Sequence, residues 1–217
     1  MQEKKAVMCK KISGPVKDFS VKPPVPFPEE SKLALMRFWD KENCLPREKG
    51  FAWTGYCEEG LRFAAFLEDS EIITKVTSDN QKIWMLGDTV EFFIKPGQRQ
   101  TVYYEIHISP NGHIMDLRIP SREKFRNKEI SWEQVLNFNS HSRYKTFILP
   151  GAWAVEITIP WSCFGLQKFS LPQTNWQFAV CRYNYSSAWP EPELSSTAHF
   201  TRADFHRYED YHELVFV

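Results

Sequence analysis

Apolar and polar residues alternate with a period of two over much of the chain after residue 50. Three segments share one version of this pattern, with a glutamate between apolar residues: Val90–Ile94, Tyr104–Ile108 and Val155–Ile159. A period of two places successive side chains on opposite faces, which is typical of a β-strand with one buried and one more polar face. All three segments are therefore predicted to be strands.

Turn-forming residues divide the same region into many short strands. A Glu-Glu-Gly turn predicts a hairpin at 52–67. The turn sequences Pro96-Gly97 and Pro110-Asn111-Gly112 join three further predicted strands, at 88–95, 101–109 and 112–119. Further strands are predicted at 143–149, 153–160, 176–185 and 211–217, and a short helix at 132–136. This organisation predicts an all-β fold, a two-sheet antiparallel β-sandwich with short helical insertions.

The first 50 residues are less regular. A strand is predicted from Ala6 to Ile12, and the proline-rich stretch at 21–28 is expected to be extended. Residues 32–39 fit either a strand or a helical turn. We therefore expect two parts: an N-terminal extended segment, residues 1–50, packed on a β-sandwich domain, residues 51–217.

Composition limits the function classes. The 217 residues include 27 Lys+Arg and 27 Asp+Glu, so the chain has no net charge to attract nucleic acid, and nucleic-acid binding is not expected. No apolar run is long enough for a membrane span or a signal peptide. The chain is expected to be soluble. Its compartment stays open: cytoplasmic, or periplasmic or secreted where a signal peptide has been removed. Five cysteines without CxxC spacing predict free thiols, with Cys163 and Cys181 buried.

Five phrases in register resemble the family 9 carbohydrate-binding modules and their single-domain relatives. They are Leu61–Asp69; Trp84 with Asp88–Phe93; Tyr103–Glu105 with Pro110–Gly112 and Asp116–Arg118; Trp153–Trp161; and Cys181–Tyr185 followed by Trp189. The resemblance covers roughly residues 50 to 217. It implies an immunoglobulin-like or jelly-roll-like sandwich, and a non-catalytic protein that recognises a mono- or oligosaccharide, for example at a chain end, in polysaccharide utilisation. It also implies a glycoside hydrolase as a partner and calcium as a structural ion.

In the sugar-binding members of this family, two aromatic rings sandwich a terminal sugar and polar side chains hold its hydroxyl groups. The resemblance assigns these roles to seven residues: Trp84, Glu91, Asn111, Arg118, Arg182, Asn184 and Trp189. An aromatic ring suits the C–H face of a sugar, and charged or amide groups suit its hydroxyl rim. The alternative for both tryptophans is a place at the rim of the core.

Other interpretations of these residues remain open. Glu91, Glu105 and Glu156 also fit a solvated sheet face, paired across strands with Arg118 and Arg182. No catalytic residue is assigned, because the sequence places no carboxylate pair in a cleft. O-glycosyl hydrolysis, or a place as a subunit of a glycan-processing enzyme, is the less favoured alternative.

The same fold also includes haem-binding redox domains, for which the candidate ligands are Met85, Met115, His107 and His113. Calcium would have the loop residues Asp69, Asp79 and Asp88 available.

Overall fold

The architecture comes from a computed structural model that describes residues 6–16, 18–19, 24–97, 100–166 and 176–217. These residues form two packed β-sheets. The first sheet has seven strands and the second has five. The predicted all-β, two-sheet sandwich is confirmed.

The strand bounds follow the turn residues closely. The strands are β1 Ala6–Cys9, β2 Leu33–Leu35, β3 Gly50–Tyr56, β4 Gly60–Glu68, β5 Thr89–Lys95, β6 Tyr103–Ile108, β7 Ile114–Ile119, β8 Arg143–Leu149, β9 Ala152–Pro160, β10 Trp176–Asn184, β11 Glu193–Ser196 and β12 His212–Phe216. Each of the predicted strands after residue 50 is present within one or two residues of its predicted ends. The first sheet has the strand order β1-β12-β10-β5-β6-β7, with β11 also paired to β10, and the second has the order β2-β3-β4-β9-β8.

Two short α-helices lie in the polar region at 121–140: α1 Arg122–Arg126 and α2 Trp132–Leu136. The second was predicted and the first was not. Single turns of 3-10 helix occur at Glu29–Ser31, Ile83–Met85, Trp161–Phe164 and Tyr208–Asp210.

The first sheet is buried on both faces. One face packs against the second sheet through residues such as Phe92, Ile106 and Phe178. The other face carries a separate apolar cluster that includes Phe93, Leu117 and residues of the 198–211 loop region. The expectation of a solvated face for the glutamates of β5 and β6 was therefore wrong, because helices and loops cover that face.

Residues 6–35 contribute to both sheets. β1 pairs in parallel with β12, and β2 pairs antiparallel with β3, which resolves the open question at 32–39 as a short strand. Between them, the amide of Tyr56 donates to the Lys10 carbonyl and the amide of Ile12 donates to the Tyr56 carbonyl. The N-terminal segment thus connects the edge of the first sheet to the second sheet.

All five cysteines are free; Cys9 and Cys181 are buried, while Cys163 is partly exposed. Within the described residues, no helix has the length and apolar character needed to cross a bilayer.

Candidate functional site

A cavity of about 370 Å³ lies on the outer face of the first sheet. We call it the inner cavity. Its floor consists of four ionisable side chains: Glu91 from β5, Glu105 and His107 from β6, and His206 from the loop before β12. The β5–β6 register places Glu91 opposite His107 and Phe93 opposite Glu105, so all of these side chains share one face.

The four floor residues form a chain of alternating charge. His107 Nδ1 lies 2.8 Å from Glu91 Oε1, and His107 Nε2 lies 3.4 Å from Glu105 Oε2. His206 Nδ1 then lies 2.8 Å from Glu105 Oε1. Glu91, Glu105 and His107 are each no more than 3% exposed. Two buried carboxylates are thus separated by an imidazole rather than placed against each other.

Burial and neighbouring charges have opposite effects on the pKa values of these side chains. Burial alone would lower the pKa of His107, but Glu91 and Glu105 raise that pKa to about 9. Burial would raise the pKa of Glu105, but His206 and His107 lower it to about 2. Burial likewise disfavours protonated His206, and Glu105 outweighs it and raises the pKa of His206. At neutral pH these floor residues therefore include charged imidazolium and carboxylate groups.

The buried polar atoms of this floor are not fully satisfied by the protein. Neither Glu105 Oε1 nor His107 Nδ1 forms a hydrogen bond of good geometry, although each has an ion-pair contact. Buried polar atoms are seldom left without hydrogen-bond partners, so these two atoms have capacity for hydrogen bonds with a ligand or water.

Aromatic residues form the wall of the inner cavity. The ring of Trp84 lies 5.6 Å from that of Trp132 at an angle of 58°, and 5.5 Å from the His107 ring. A sugar held between two rings needs van der Waals contact on both sides, which requires a separation of about 7–8 Å. Trp84 and Trp132 therefore touch each other and form one continuous surface. They do not form the two sides of a sandwich.

The position of Trp84 follows from the residues after it. Gly87 has φ +146°, and a Cβ there would lie 2.1 Å from the Ile73 carbonyl oxygen, so only glycine fits. Asp88 accepts hydrogen bonds from the amides of Ile73 and Tyr185, and the Tyr185 hydroxyl donates to the Trp84 carbonyl at 2.6 Å. These contacts fix the tryptophan just before the start of β5.

Helix caps position the other aromatic residues of this wall. Ser131 and Gln134 form a capping box that begins α2 at Trp132, and Ser121 caps α1, which carries Phe125. The two rings lie 6.3 Å apart. Lys82 lies 5.1 Å from the Trp132 ring and adds a cation–π contact.

Of the seven residues assigned from the resemblance, Trp84 and Glu91 lie together in the inner cavity. Arg182 and Asn184 project from the opposite face of β10. Arg182 is 1% exposed, lies 3.2 Å from Asp69 and donates to the Glu68 carbonyl and to Asn184. The arginine expected beside Glu91 is therefore engaged between the two sheets, and His107 takes its place.

The other three assigned residues also lie outside the inner cavity. Asn111 stabilises the β6–β7 turn by donating to the Val76 carbonyl, and Arg118 is exposed on the face of β7 opposite the cavity. Trp189 is partly exposed at the same end of the sheet as Trp84, since β5 begins where antiparallel β10 ends. Its ring packs under the guanidinium of Arg47 at 4.7 Å.

The residues considered for haem and calcium are dispersed. Met85 is 63% exposed, Met115 is buried, and the two ring nitrogens of His107 face carboxylates. Asp69 pairs with Arg182, and Asp79 contacts His113. No group of three or more metal-ligating side chains occurs within the part of the chain that the structure describes.

Several cavity residues had no sugar-binding role in the sequence interpretation, namely Glu105, His107, Trp132, Phe205 and His206. The period-two pattern could have indicated that Glu91 and His107 lie opposite each other, because they lie on two predicted strands that are joined by one turn. No sequence signal connects His206 to Glu105, which is 101 positions away. That contact depends on the tertiary fold.

Comparison with known proteins gives structural neighbours only. No family model matches the chain, and no curated protein does either. A structure described as a putative carbohydrate-binding protein from Bacteroides uniformis is 14% identical, with a TM-score of 0.67 over 99% of this chain and 100% of that one. The chain shares the fold of family 9 carbohydrate-binding modules.

Two structures of such a module from Caldicellulosiruptor kristjanssonii support this assignment of the fold. The complex with cellotriose has a TM-score of 0.63 and 12% identity, over 98% of this chain and 93% of that one. The complex with glucose has a TM-score of 0.64 and 12% identity, over 98% and 96%. The fold expected from the five sequence phrases is therefore confirmed.

Proposed function

We propose that the protein binds a neutral mono- or oligosaccharide in the inner cavity. The observation that carries this proposal is the position of Glu91, a buried carboxylate paired with His107 beside the Trp84–Trp132 surface. A sugar has an apolar C–H face and a rim of hydroxyl groups. The indole surface suits the face, and the carboxylates suit the hydroxyl groups as charged acceptors.

The size and charge of the inner cavity fit this class of ligand. Its volume of about 370 Å³ lies in the range of small-molecule sites, about 300–1,000 Å³. The two carboxylates and two imidazolium groups balance, and Asp204 at the rim pairs with Arg126 and Arg202. The charged groups of the inner cavity therefore compensate one another, which suits a ligand without net charge.

The structural neighbours agree with the proposal, because their names describe carbohydrate binding, and two contain glucose or cellotriose. Participation in polysaccharide utilisation, with a glycoside hydrolase as partner, extends the proposal to the biological setting.

The electrostatics favour binding over hydrolysis. A glycoside hydrolase needs one carboxylic acid with a raised pKa to protonate the leaving group. In the inner cavity the pKa of Glu105 is lowered to about 2, and Glu91 lies against a protonated His107. Glu105 is therefore not held in the acid form.

The test is calorimetric titration of Glu91→Gln with the best sugar from a glycan array. The variant keeps the shape of the side chain but loses a charged acceptor, which contributes about 1.5–3 kcal/mol. We expect affinity to fall by about tenfold or more.

Glu156→Gln is the matched control, because Glu156 occupies the same sequence pattern on the other sheet, where it pairs with Arg62. Equal affinities for wild type and Glu91→Gln, with both proteins folded by melting curves, would contradict the proposal.

A further inference from the structure

A second groove of about 320 Å³ adjoins the inner cavity. We call it the outer groove. The N-terminal segment contributes Arg37, Trp39 and Arg47 to it, and the stretch entering β11 contributes Glu191 and Glu193. Leu194 and Ala203 line both the outer groove and the inner cavity, so the two spaces are adjacent.

Backbone pairing holds the N-terminal segment beside β11. The amide of Met36 donates to the Ser196 carbonyl at 2.8 Å, and the amide of Ser196 donates back at 2.9 Å. Glu193, only 8% exposed, accepts from the Arg47 amide at 2.8 Å and from Arg37 Nη1 at 3.4 Å. Hydrogen bonds therefore hold the two walls of the outer groove together.

An aromatic surface connects the two spaces. The Trp39 ring lies 6.1 Å from that of Phe205, which lines the inner cavity, and Trp39 itself is partly exposed in the outer groove. The Arg47 guanidinium is supported from behind by Trp189, while its side chain remains 56% exposed. A ring platform and a positioned hydrogen-bond donor thus occur side by side.

The charges of the outer groove balance, with two arginines against Glu191 and Glu193. An acidic or basic ligand would gain no net attraction there. Hydroxyl groups, in contrast, can both donate to carboxylates and accept from guanidinium groups.

We propose that the outer groove binds the next sugar residues of a neutral oligosaccharide whose terminal ring occupies the inner cavity. Trp39 stacks on the second ring and Arg47 donates to its hydroxyl groups. This inference rests on the proposed function and assigns a role to residues 37–47, which lie outside the region of family resemblance. The N-terminal segment then determines the preference for chain length.

The experiment compares a monosaccharide with its trisaccharide for wild type, Trp39→Ala and Arg47→Gln. We expect wild type to bind the trisaccharide about tenfold or more tightly than the monosaccharide, and each variant to lose most of that ratio. Affinity for the monosaccharide should stay the same in both variants. Trp39→Phe should retain the ratio, since it keeps a ring.

Phe51→Ala and Arg143→Gln are the matched controls, because both residues lie on the second sheet away from either space. Equal affinities of wild type for the two sugars, or equal losses for both sugars in the variants, would overturn the outer groove and leave the inner cavity intact. Absence of sugar binding by wild type would overturn both proposals.

Discussion

His107 lies between two carboxylates, 2.8 Å from Glu91 and 3.4 Å from Glu105, and is 3% exposed. Its ring therefore both neutralises the floor of the inner cavity and orients Glu91. When one partner of a buried ion pair is removed, the remaining charge is left uncompensated, and the unfolding free energy falls by about 3–5 kcal/mol.

We expect His107→Gln to lose about 3–5 kcal/mol of unfolding free energy at pH 6, measured by urea denaturation. The variant leaves Glu91 buried without its cation, and Glu105 keeps only His206. His113→Gln is the control, because His113 pairs with the exposed Asp79 and should change stability by less than about 1 kcal/mol. A similar small loss for both variants would contradict the role of His107.

The same residue predicts a dependence on pH. The folded-state pKa of His107 is about 9, above its ordinary value of 6.5. Its protonation therefore stabilises the folded state fully below pH 6.5, and this contribution is lost as pH rises through about 9. The difference in unfolding free energy between wild type and His107→Gln should shrink over that window.

At the scale of elements, one sequence pattern has two outcomes. The glutamates of β5 and β6 lie in the inner cavity, whereas Glu156 of β9 pairs with Arg62 and accepts from the Val16 amide on the other sheet. Alternation and turn residues predicted the strands because both are local properties. They could not predict which layer covers each outer face.

The arginine of β10 shows the same limit. Arg182 and Asn184 are two residues apart on β10 and share a face, as the period of two requires. Which face of β10 meets the second sheet depends on Asp69 and Glu68 at the end of β4, 113 and 114 positions away. Trp132 was missed for a related reason, since a capping box predicts where a helix begins but gives no information about its neighbour.

We expect Arg182→Gln to lower the unfolding free energy by about 3–5 kcal/mol, because Asp69 would remain buried without a cation. Arg118→Gln should change it by no more than about 0.5 kcal/mol, since Arg118 is exposed. Sugar affinity of the folded protein should be the same in both variants. A loss of affinity without a loss of stability in Arg182→Gln would return this arginine to the binding site.

At the scale of the whole molecule, the N-terminal segment joins the two sheets. β1 extends the first sheet, and Ile12, 7% exposed, packs with Trp53 and Phe66 on the outer face of the second. The segment is thus expected to fold and unfold together with the sandwich.

Ile12→Ala should cost about 2–5 kcal/mol, and its unfolding should remain a single transition that coincides by circular dichroism and tryptophan fluorescence. Met8→Ala is the control, because Met8 is 42% exposed on β1 and should have an effect within about 0.5 kcal/mol. Two separate transitions, or equal effects of the two substitutions, would indicate an independent N-terminal unit.

The direction of β12 has a practical consequence for the proposed ligand. β12 runs antiparallel to β10, with Leu214 opposite Trp176, so Val217 lies at the end of the sheet away from Trp84. A tether attached after Val217 would hold the molecule by its far end. Protein immobilised in this orientation would present both the inner cavity and the outer groove to an insoluble glycan.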